Sequence, residues 1–380
     1  MTQSARRAGT IKMMQFPTIA QITRHPAFKT AVWKLRPHQS GLLPVGATRG
    51  GPYNISWEIH GNGPIKVMLI GGLGVTRADW QRQTYHFGHL RGARFSVLMV
   101  DNRGVGASDK PLHLAGYTTS GLAQDLLEVA DHVGWTLPRS LHVGGGSLGG
   151  MIAQEVARQA PERIARLALW STMPRYEQTG SWTEFLGRVW GLAVPKSLET
   201  DVRSIARGCF PAAWLAEPPA DDDVVAEEEA ATAAAAAAAP AVKGGGQGVP
   251  EQNRRPSSPQ MPRFDTNYER WAAGEIAKHR EGHVTRTGHW MQALGAARHS
   301  LSAEQLRRLG DEVGRERILI LHGDADGMMP VDLGRILMAE LRPARSIVVE
   351  GMGHAPILER TAWFNGVLEE WFTDEERPSL

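Results

Sequence analysis

The chain has 380 residues, of which 42% are hydrophobic and 22% are charged, and its formal net charge is +2. These proportions are typical of a globular protein with a large core, and the small net charge argues against a nucleic-acid-binding protein. No apolar run approaches the roughly 20 residues of a membrane-spanning helix, and the single cysteine, Cys209, excludes an intrachain disulfide. The composition therefore argues against nucleic acid as a partner and against a membrane span, and it leaves the oligomeric state open.

The first 41 residues are interpreted as a basic N-terminal extension. Eight Lys and Arg residues precede the first acidic residue, Glu58. A basic, acid-free segment is typical of mitochondrial targeting peptides, but it also fits an extension without a targeting role. Because a secretory apolar segment and a disulfide framework are both lacking, we expect an intracellular, cytoplasmic protein, with a mitochondrial location as the alternative.

From residue 42 onwards, short apolar runs alternate with amphipathic stretches. The pattern predicts strands at residues 42–48, 53–60, 66–70, 95–100, 140–143, 164–171, 317–321 and 346–350. It predicts helices at residues 119–133, 148–159, 333–341 and 361–372. Repeated strand–helix–strand units indicate a parallel sheet with helices on both faces. The opening strand pair makes this an α/β fold with a mixed, mostly parallel sheet of about eight strands.

Residues 173–315 interrupt this alternation with helical, Trp-containing sequence. Within them, residues 218–262 are of low complexity, with acidic, alanine, glycine and Pro/Ser-rich runs. Such a composition buries too little apolar surface to offset the entropy of ordering the chain. We therefore predict an α/β core formed by residues 42–172 and 316–380, and a helical cap at 173–315 that contains a disordered insertion at 218–262.

A candidate nucleophile, Ser147, lies in the sequence Gly-Gly-Ser-Leu-Gly at residues 145–149. The pattern G-x-S-x-G is weak alone, but here it joins a predicted strand to a predicted helix. A serine at such a turn is lifted above the sheet edge, and the flanking glycines relieve the clashes of the strained turn. The alternative, an inert serine in a glycine-rich turn, does not account for this context.

A serine needs a base, and a histidine base needs an acid to orient it. Asp326 follows the strand predicted at 317–321, and His354 follows the strand predicted at 346–350. Carboxyl ends of parallel strands share one edge of a sheet, so these loops should meet the Ser147 turn. Each residue alone could be an ordinary loop residue, but their order, serine then acid then histidine, is the one that this architecture requires.

Two backbone N–H groups should stabilise the oxyanion that forms on the substrate. We assign one to Leu148, directly after the nucleophile, and the other to Leu73, in the loop that follows the strand predicted at 66–70. The polar loop at residues 101–109 should brace its neighbours. No His/Cys/Asp cluster has metal-ligand spacing, so neither a metal nor another cofactor is expected.

These residues resemble the α/β-hydrolase superfamily, in particular its cap-containing branch of serine esterases, enol-lactone hydrolases and proline iminopeptidases. The resemblance covers residues 42–215 and 263–375. Its motifs are Asp101-x-Arg103-Gly104-x-Gly106-x-Ser108-Asp109, Gly149-Gly150-Met151-Ile152-Ala153-Gln154, Pro161-Glu162-Arg163, Gly323-x-x-Asp326-x-x-x-Pro330 and Gly353-His354 followed by Glu359. The third position after Gly323 favours Asp326 over Asp324 as the acid.

The chain departs from the family pattern at two places. Gly71-Gly72 stands where the family usually has His-Gly, and Gly146 stands where the residue before the nucleophile is usually large. The second departure leads us to expect a more mobile nucleophile turn or a more open pocket.

The resemblance implies a serine hydrolase that cleaves a carboxylic ester, lactone or thioester of a small, mostly apolar substrate through an acyl-enzyme. Ser147, Asp326 and His354 would form its catalytic triad. An acyltransferase with the same triad and a small-molecule receptor that retains an intact triad remain alternatives. Serine at the nucleophile position argues against relatives of this fold that use aspartate there.

Overall fold

The computed structural model describes residues 16–112, 116–176, 196–220 and 262–374. Most of the predicted insertion at 218–262 lies outside these ranges, as do the first fifteen residues. Among the helices in the described ranges, none combines the length and the apolar character that crossing a membrane requires.

Eight strands form one mixed sheet. They are β1 (Gln39–Val45), β2 (Tyr53–His60), β3 (Ile65–Ile70), β4 (Phe95–Val100), β5 (Leu141–Gly146), β6 (Ile164–Trp170), β7 (Ile318–Gly323) and β8 (Arg345–Val349). Their order is β1-β2-β4-β3-β5-β6-β7-β8. β2 pairs antiparallel with both β1 and β4, and all the other pairs are parallel.

The helices alternate with the strands after β3. They are α1 (Ile19–Arg24), α2 (Gln81–Gln83, continued by a π-helical Thr84–Leu90), α3 (Thr119–His132), α4 (Leu148–Gln159), α5 (Leu198–Cys209), α6 (Ala212–Ala216), α7 (Asn267–Arg280), α8 (Arg286–Ala297), α9 (Ala303–Val313), α10 (Val331–Leu341), α11 (Pro356–Glu359) and α12 (Thr361–Thr373). Short 3₁₀ turns lie at Pro26–Thr30, Arg77–Trp80, Pro161–Arg163 and Arg315–Arg317.

Alternating side chains of the central strands supply two cores, one on each face of the sheet. Met68 and Ile70 of β3 face the side covered by α3, α4, α9 and α10. Val67 and Leu69 face the side covered by α2 and α12. Burial on both faces explains why the central strands are largely apolar rather than strictly alternating.

The predicted α/β architecture with eight strands is therefore confirmed. Several strand boundaries differ from those predicted, and the largest differences are in β1 and β5. β1 begins at Gln39 rather than at residue 42. β1 ends at Val45 rather than at residue 48 because Gly46, with φ of 72°, begins the turn to β2. β5 runs on to Gly146 rather than ending at 143, since β6 pairs with all three of its glycines and β3 pairs with the first two. These ladders override the low strand propensity of glycine.

A third core joins the N-terminal segment to helices α5, α6 and α7. Phe16, Ile22 and Ala27 are buried together with cap residues such as Phe210 and Tyr268. The ring of Phe16 stacks on that of Tyr268 with a 4.0 Å separation between centroids. We propose that residues 16–31, which belong to the predicted basic extension, are structurally part of the cap.

Helix α9 packs on the sheet rather than in the cap. Leu306, Leu309 and Val313 belong to the same core as the side chains of α3, α4 and α10. The amphipathic spacing of α9 therefore serves the α/β core, although the sequence placed it in the cap. We propose that the core resumes near residue 302 instead of 316.

Candidate active site

Ser147 occupies a strained turn between β5 and α4. Its backbone angles, φ 56° and ψ −129°, lie where residues other than glycine rarely occur. A Cβ atom on Gly145 would lie 2.3 Å from the carbonyl oxygen of Gly149, and one on Gly149 would lie 2.1 Å from that of Ile70. Both positions flanking the serine therefore require glycine, as the motif predicts, and the packing holds Ser147 at the carboxyl end of β5.

Position 146 has no room for a side chain, because Trp170 occupies the space that one would need. A Cβ atom on Gly146 would lie 2.1 Å from Nε1 of Trp170, the residue paired with it on β6. The indole of Trp170 also makes edge contacts with the rings of Trp80 and Phe364. The expectation of a more open pocket beside Gly146 was wrong, since a buried tryptophan fills that space from the next strand, and the expectation of a more mobile turn stays a prediction.

Asp326 and His354 are in direct contact in the loops after β7 and β8. Nδ1 of His354 and Oδ2 of Asp326 are 2.7 Å apart. The other carboxylate oxygen of Asp326 accepts hydrogen bonds from the backbone N–H groups of Met328 and Met329, at 2.9 and 2.8 Å. Burial acts to raise the pKa of Asp326, but hydrogen bonds from His322 and His354 outweigh it and hold the value at about 2. The carboxylate is therefore ionised at neutral pH.

Two further side chains support this pair, and the sequence had given neither of them a role. His322, fully buried, lies with Nε2 2.9 Å from the carbonyl oxygen of Met329 and 3.4 Å from Oδ2 of Asp326. Glu359 accepts a hydrogen bond from the N–H of Gly353, at 2.8 Å. Both could have been found from the sequence by their proximity to motif residues. His322 directly precedes Gly323, and Glu359 follows the histidine loop.

The cap reaches the histidine loop through the end of α5. The backbone N–H of His354 donates to the carbonyl oxygen of Cys209, the last residue of that helix, at 2.7 Å. In the neighbouring acid loop, Met328 lies against Gly208, where a Cβ atom would come within 2.5 Å of the Met328 sulfur. Backbone and side-chain contacts from α5 therefore fix the loops that carry His354 and Asp326.

The loop at residues 71–74, which contains Leu73, runs beside the nucleophile. A Cβ atom on Gly72 would lie 3.5 Å from Cβ of Ser147. Leu148 is the first residue of α4, and the first N–H groups of a helix have no partner within it. The backbone of Leu148 and the Leu73 loop thus flank Ser147, and the assignment of their N–H groups to an oxyanion site remains a prediction.

The polar loop at residues 101–109 braces its neighbours, as predicted. Asp101 accepts hydrogen bonds from the N–H groups of Arg77 and Ala107, at 2.9 and 3.0 Å. The side-chain amide of Asn102 donates to the carbonyl oxygen of Gly71, at 2.9 Å. The loop after β4 therefore fixes the start of the loop that contains Leu73.

Comparison with known proteins identifies the fold that carries this site. A family model described as the alpha/beta hydrolase fold matches residues 66–212. The strand order fits that fold, and the match includes Ser147 but ends before Asp326 and His354. The chain has the α/β-hydrolase fold. The resemblance stated from the sequence motifs is confirmed at this level, and serine esterases with a catalytic triad are typical of the superfamily.

Two curated relatives and one solved structure illustrate the similarity. RutD of Variovorax paradoxus, named for carbamate hydrolysis, is 36% identical over 116 residues, which are 30% of this chain and 41% of RutD. The pimeloyl-acyl-carrier-protein methyl ester esterase of Vibrio campbellii is 29% identical over 129 residues, 34% of this chain and 45% of the esterase. A thermophilic esterase from Thermogutta terrifontis has a TM-score of 0.59 and 21% identity, over 88% of this chain and 97% of that chain.

The short coverage and low identity of these matches limit what can be concluded about this chain from its relatives. The chain spans less than half the length of the two curated relatives. At 21% identity, the esterase structure supports the fold alone. The α/β-hydrolase fold is thus established for this chain, whereas its reaction and its substrate must be proposed from the site.

Proposed function

We propose that this protein is a serine hydrolase that cleaves a carboxylic ester, lactone or thioester through an acyl-enzyme. In this proposal Ser147 is the nucleophile, His354 the general base and Asp326 the acid that orients it. The 2.7 Å contact between Nδ1 of His354 and a buried, ionised Asp326 carries the proposal. A carboxylate there selects the tautomer whose Nε2 is free to accept a proton.

The reaction would proceed in two steps, acylation of Ser147 and hydrolysis of the acyl-enzyme. Nε2 of His354 takes the hydroxyl proton of Ser147 as Oγ bonds to the substrate carbonyl carbon. The carbonyl oxygen becomes an oxyanion, which accepts hydrogen bonds from the N–H groups of Leu148 and Leu73. Collapse breaks the bond to the leaving alcohol or thiol, which receives the proton from His354. Water then attacks the acyl-enzyme by the same route, releasing the acid and restoring Ser147.

A neutral, mostly apolar substrate is favoured by the large apolar side chains of the cap. In the described part of the cap, Trp290, Met291 and Leu294 of α8 are half-buried, and Met328 beside the acid loop is 45% exposed. Six further large apolar residues of the predicted cap lie outside the described residues: Trp182, Phe185, Leu186, Val189, Trp190 and Leu192. Phe210, Trp214 and Trp271 serve packing within the cap, where their rings stack or meet edge to face.

The deciding experiment compares Ser147→Ala with Ser140→Ala. Ser140 precedes β5 at its other end, and its hydroxyl bonds only to the nearby carbonyl of Leu137. We expect Ser147→Ala to reduce hydrolysis of p-nitrophenyl esters by several orders of magnitude and to abolish labelling by a fluorophosphonate, because a triad acts as a unit. Ser140→Ala should behave like the wild type in both assays.

Other outcomes distinguish the alternatives. Labelling of Ser147 without ester turnover would favour a small-molecule receptor, and acyl transfer to an added alcohol in preference to water would favour an acyltransferase. Unchanged turnover by a folded Ser147→Ala protein would refute the proposed nucleophile.

A further inference from the structure

A cap residue, Gln292 of α8, connects two loops at the candidate active site. Its side chain is fully buried, and both ends of its amide are hydrogen-bonded. Oε1 accepts from the N–H of Gly74 at 3.0 Å, and Nε2 donates to the carbonyl oxygen of Arg103 at 3.0 Å. Because both partners are backbone groups, the amide fixes main-chain positions rather than side chains.

Helix α8 packs closely against the core. A Cβ atom on Gly288 would lie 1.8 Å from the carbonyl oxygen of Gly104, so the helix touches the loop after β4 directly. Just before the helix, Val284 forms an isolated bridge with Val105, and the carbonyl oxygen of His283 accepts from the N–H of Gly106, at 2.7 Å. The helix that carries Gln292 is therefore fixed to the core.

The loop at residues 71–74 is consequently held at both of its ends. Asn102, from the core, donates to the carbonyl oxygen of Gly71, and Gln292, from the cap, accepts from the N–H of Gly74. Three of the four residues are glycines, and Gly74 has a positive φ of 70°. Such a backbone has many accessible conformations unless other groups restrain it.

We infer that Gln292 is a positioning residue, through which the cap sets the orientation of the Leu73 peptide group toward the oxyanion. The inference rests on the proposed function. It follows that α8 contributes to the rate of the chemical step and not only to substrate binding, since only a correctly aimed N–H stabilises the developing charge.

The first test compares Gln292→Met with Gln81→Met as a matched control. Gln81 is also buried, and it also bonds to two backbone groups of another segment, the N–H of Trp33 and the carbonyl oxygen of Ala31. Gln292→Met should lower kcat for a p-nitrophenyl ester by roughly 10- to 100-fold with KM changed less than about threefold, because a small displacement of an oxyanion donor costs rate rather than affinity. Gln81→Met should leave kcat within about twofold.

A second readout addresses the oxyanion itself. Sulfur accepts hydrogen bonds more weakly than oxygen, so a thionoester gains less than the matching ester from an oxyanion site. Gln292→Met should therefore reduce the ratio of ester to thionoester kcat/KM, whereas general loosening of the fold would lower both rates alike. Gln81→Met should keep the wild-type ratio.

The conservative variant Gln292→Glu provides a rescue. A protonated carboxyl group can accept from Gly74 and donate to Arg103, as the glutamine amide does, whereas the ionised form has no donor for Arg103. Activity relative to wild type should therefore rise as the pH falls. Equal kcat for Gln292→Met and Gln81→Met, or an unchanged ester to thionoester ratio, would overturn the inference. Turnover by Ser147→Ala would instead refute the proposed function, so the two failures are distinguishable.

Discussion

Two aspartates in the loop after β7 have different contacts. Asp326 faces His354, whereas Asp324 accepts a hydrogen bond from the N–H of Gly351, at 2.7 Å. Asp324 is exposed, and Asp326 is buried. The spacing from Gly323 favoured Asp326 as the acid, and the contacts supply an independent physical reason for the same choice.

Asp326→Asn should lower kcat by about 10⁴-fold, because an amide facing Nδ1 stabilises the wrong tautomer of His354. Asp324→Asn should have little effect, since an asparagine oxygen can still accept from Gly351. Steady-state kinetics with one ester substrate measures both variants. A larger loss in Asp324→Asn than in Asp326→Asn would move the acid to residue 324.

Glu359 gives the histidine loop a pH-dependent contribution to stability. Burial raises the pKa of this carboxyl group to about 7, although the N–H of Gly353 and the charge of Arg360 act to lower it. Because its folded pKa exceeds its unfolded value, the folded state holds a proton that the unfolded state has lost. Stability from this group is therefore complete at low pH and decreases as the pH rises toward the folded pKa.

Glu359→Gln should remove this dependence, because glutamine keeps an acceptor for Gly353 and does not ionise. The free energy of unfolding of the wild type, relative to that of the variant, should fall between about pH 4.5 and pH 7 and level off above. Urea denaturation at several pH values provides the measurement. A difference between the two proteins that stays constant over this range would contradict the prediction.

At the scale of elements, a buried ionic cluster joins α7 of the cap to the core. Nζ of Lys278 lies 2.8 and 2.9 Å from the two carboxylate oxygens of Asp79 and 2.7 Å from Glu275. Burial acts to lower the pKa of Lys278, but the two carboxylates outweigh it and raise the pKa above its ordinary value. Asp79 also accepts from the N–H of Thr76, so the cluster reaches the chain just after the loop at 71–74.

Lys278→Met should destabilise the protein by about 3 kcal/mol, because it leaves two partly buried carboxylates without a counter-charge. Arg308→Met is the control, since Arg308 is 78% exposed in its ion pair with Glu312 and such pairs contribute little. Urea denaturation of both variants tests this. If Lys278→Met were as stable as Arg308→Met, the cluster would not anchor the cap.

At the scale of the whole molecule, the cap and the N-terminal segment form one covering layer. The N-terminal segment contacts the cap through Phe16 and the core through Trp33. The backbone N–H of Trp33 donates to Oε1 of Gln81 at 2.8 Å. Helices α5 and α8 reach the histidine loop and the loop at 71–74. In the proposed enzyme, substrate selection should therefore depend on this layer, and the candidate reacting groups lie in the loops at the carboxyl edge of the sheet.

The apolar character of the cap predicts a dependence on acyl chain length. Each methylene that is buried should add up to about 0.8 kcal/mol, or about fourfold in kcat/KM, until the pocket is full. The measurement is kcat/KM for p-nitrophenyl esters of increasing length, together with a proline amide. A flat series, or a proline amide that is the better substrate, would favour the iminopeptidase branch over esters and lactones.

Much of the fold follows from local patterns in the sequence. The bounds of α4 were predicted without error, and β4 matches its apolar run. Such elements have a strong apolar period and clear ends. The N-terminal helix α1 was missed because it is only six residues long, and its buried face needs the cap as a partner. Short helices gain stability from packing rather than from their own sequence.

Strand periodicity and motif spacing are local properties of the chain, so the sequence was enough to predict the α/β architecture and to propose Ser147, Asp326 and His354 as candidates. The contacts of Trp170, His322 and Gln292 became visible only with the tertiary structure. Their partners lie on other strands or in the cap, as Gln292 and Gly74 do across 218 residues. Contacts over such distances arise from the packing of complete elements, and no local pattern encodes them.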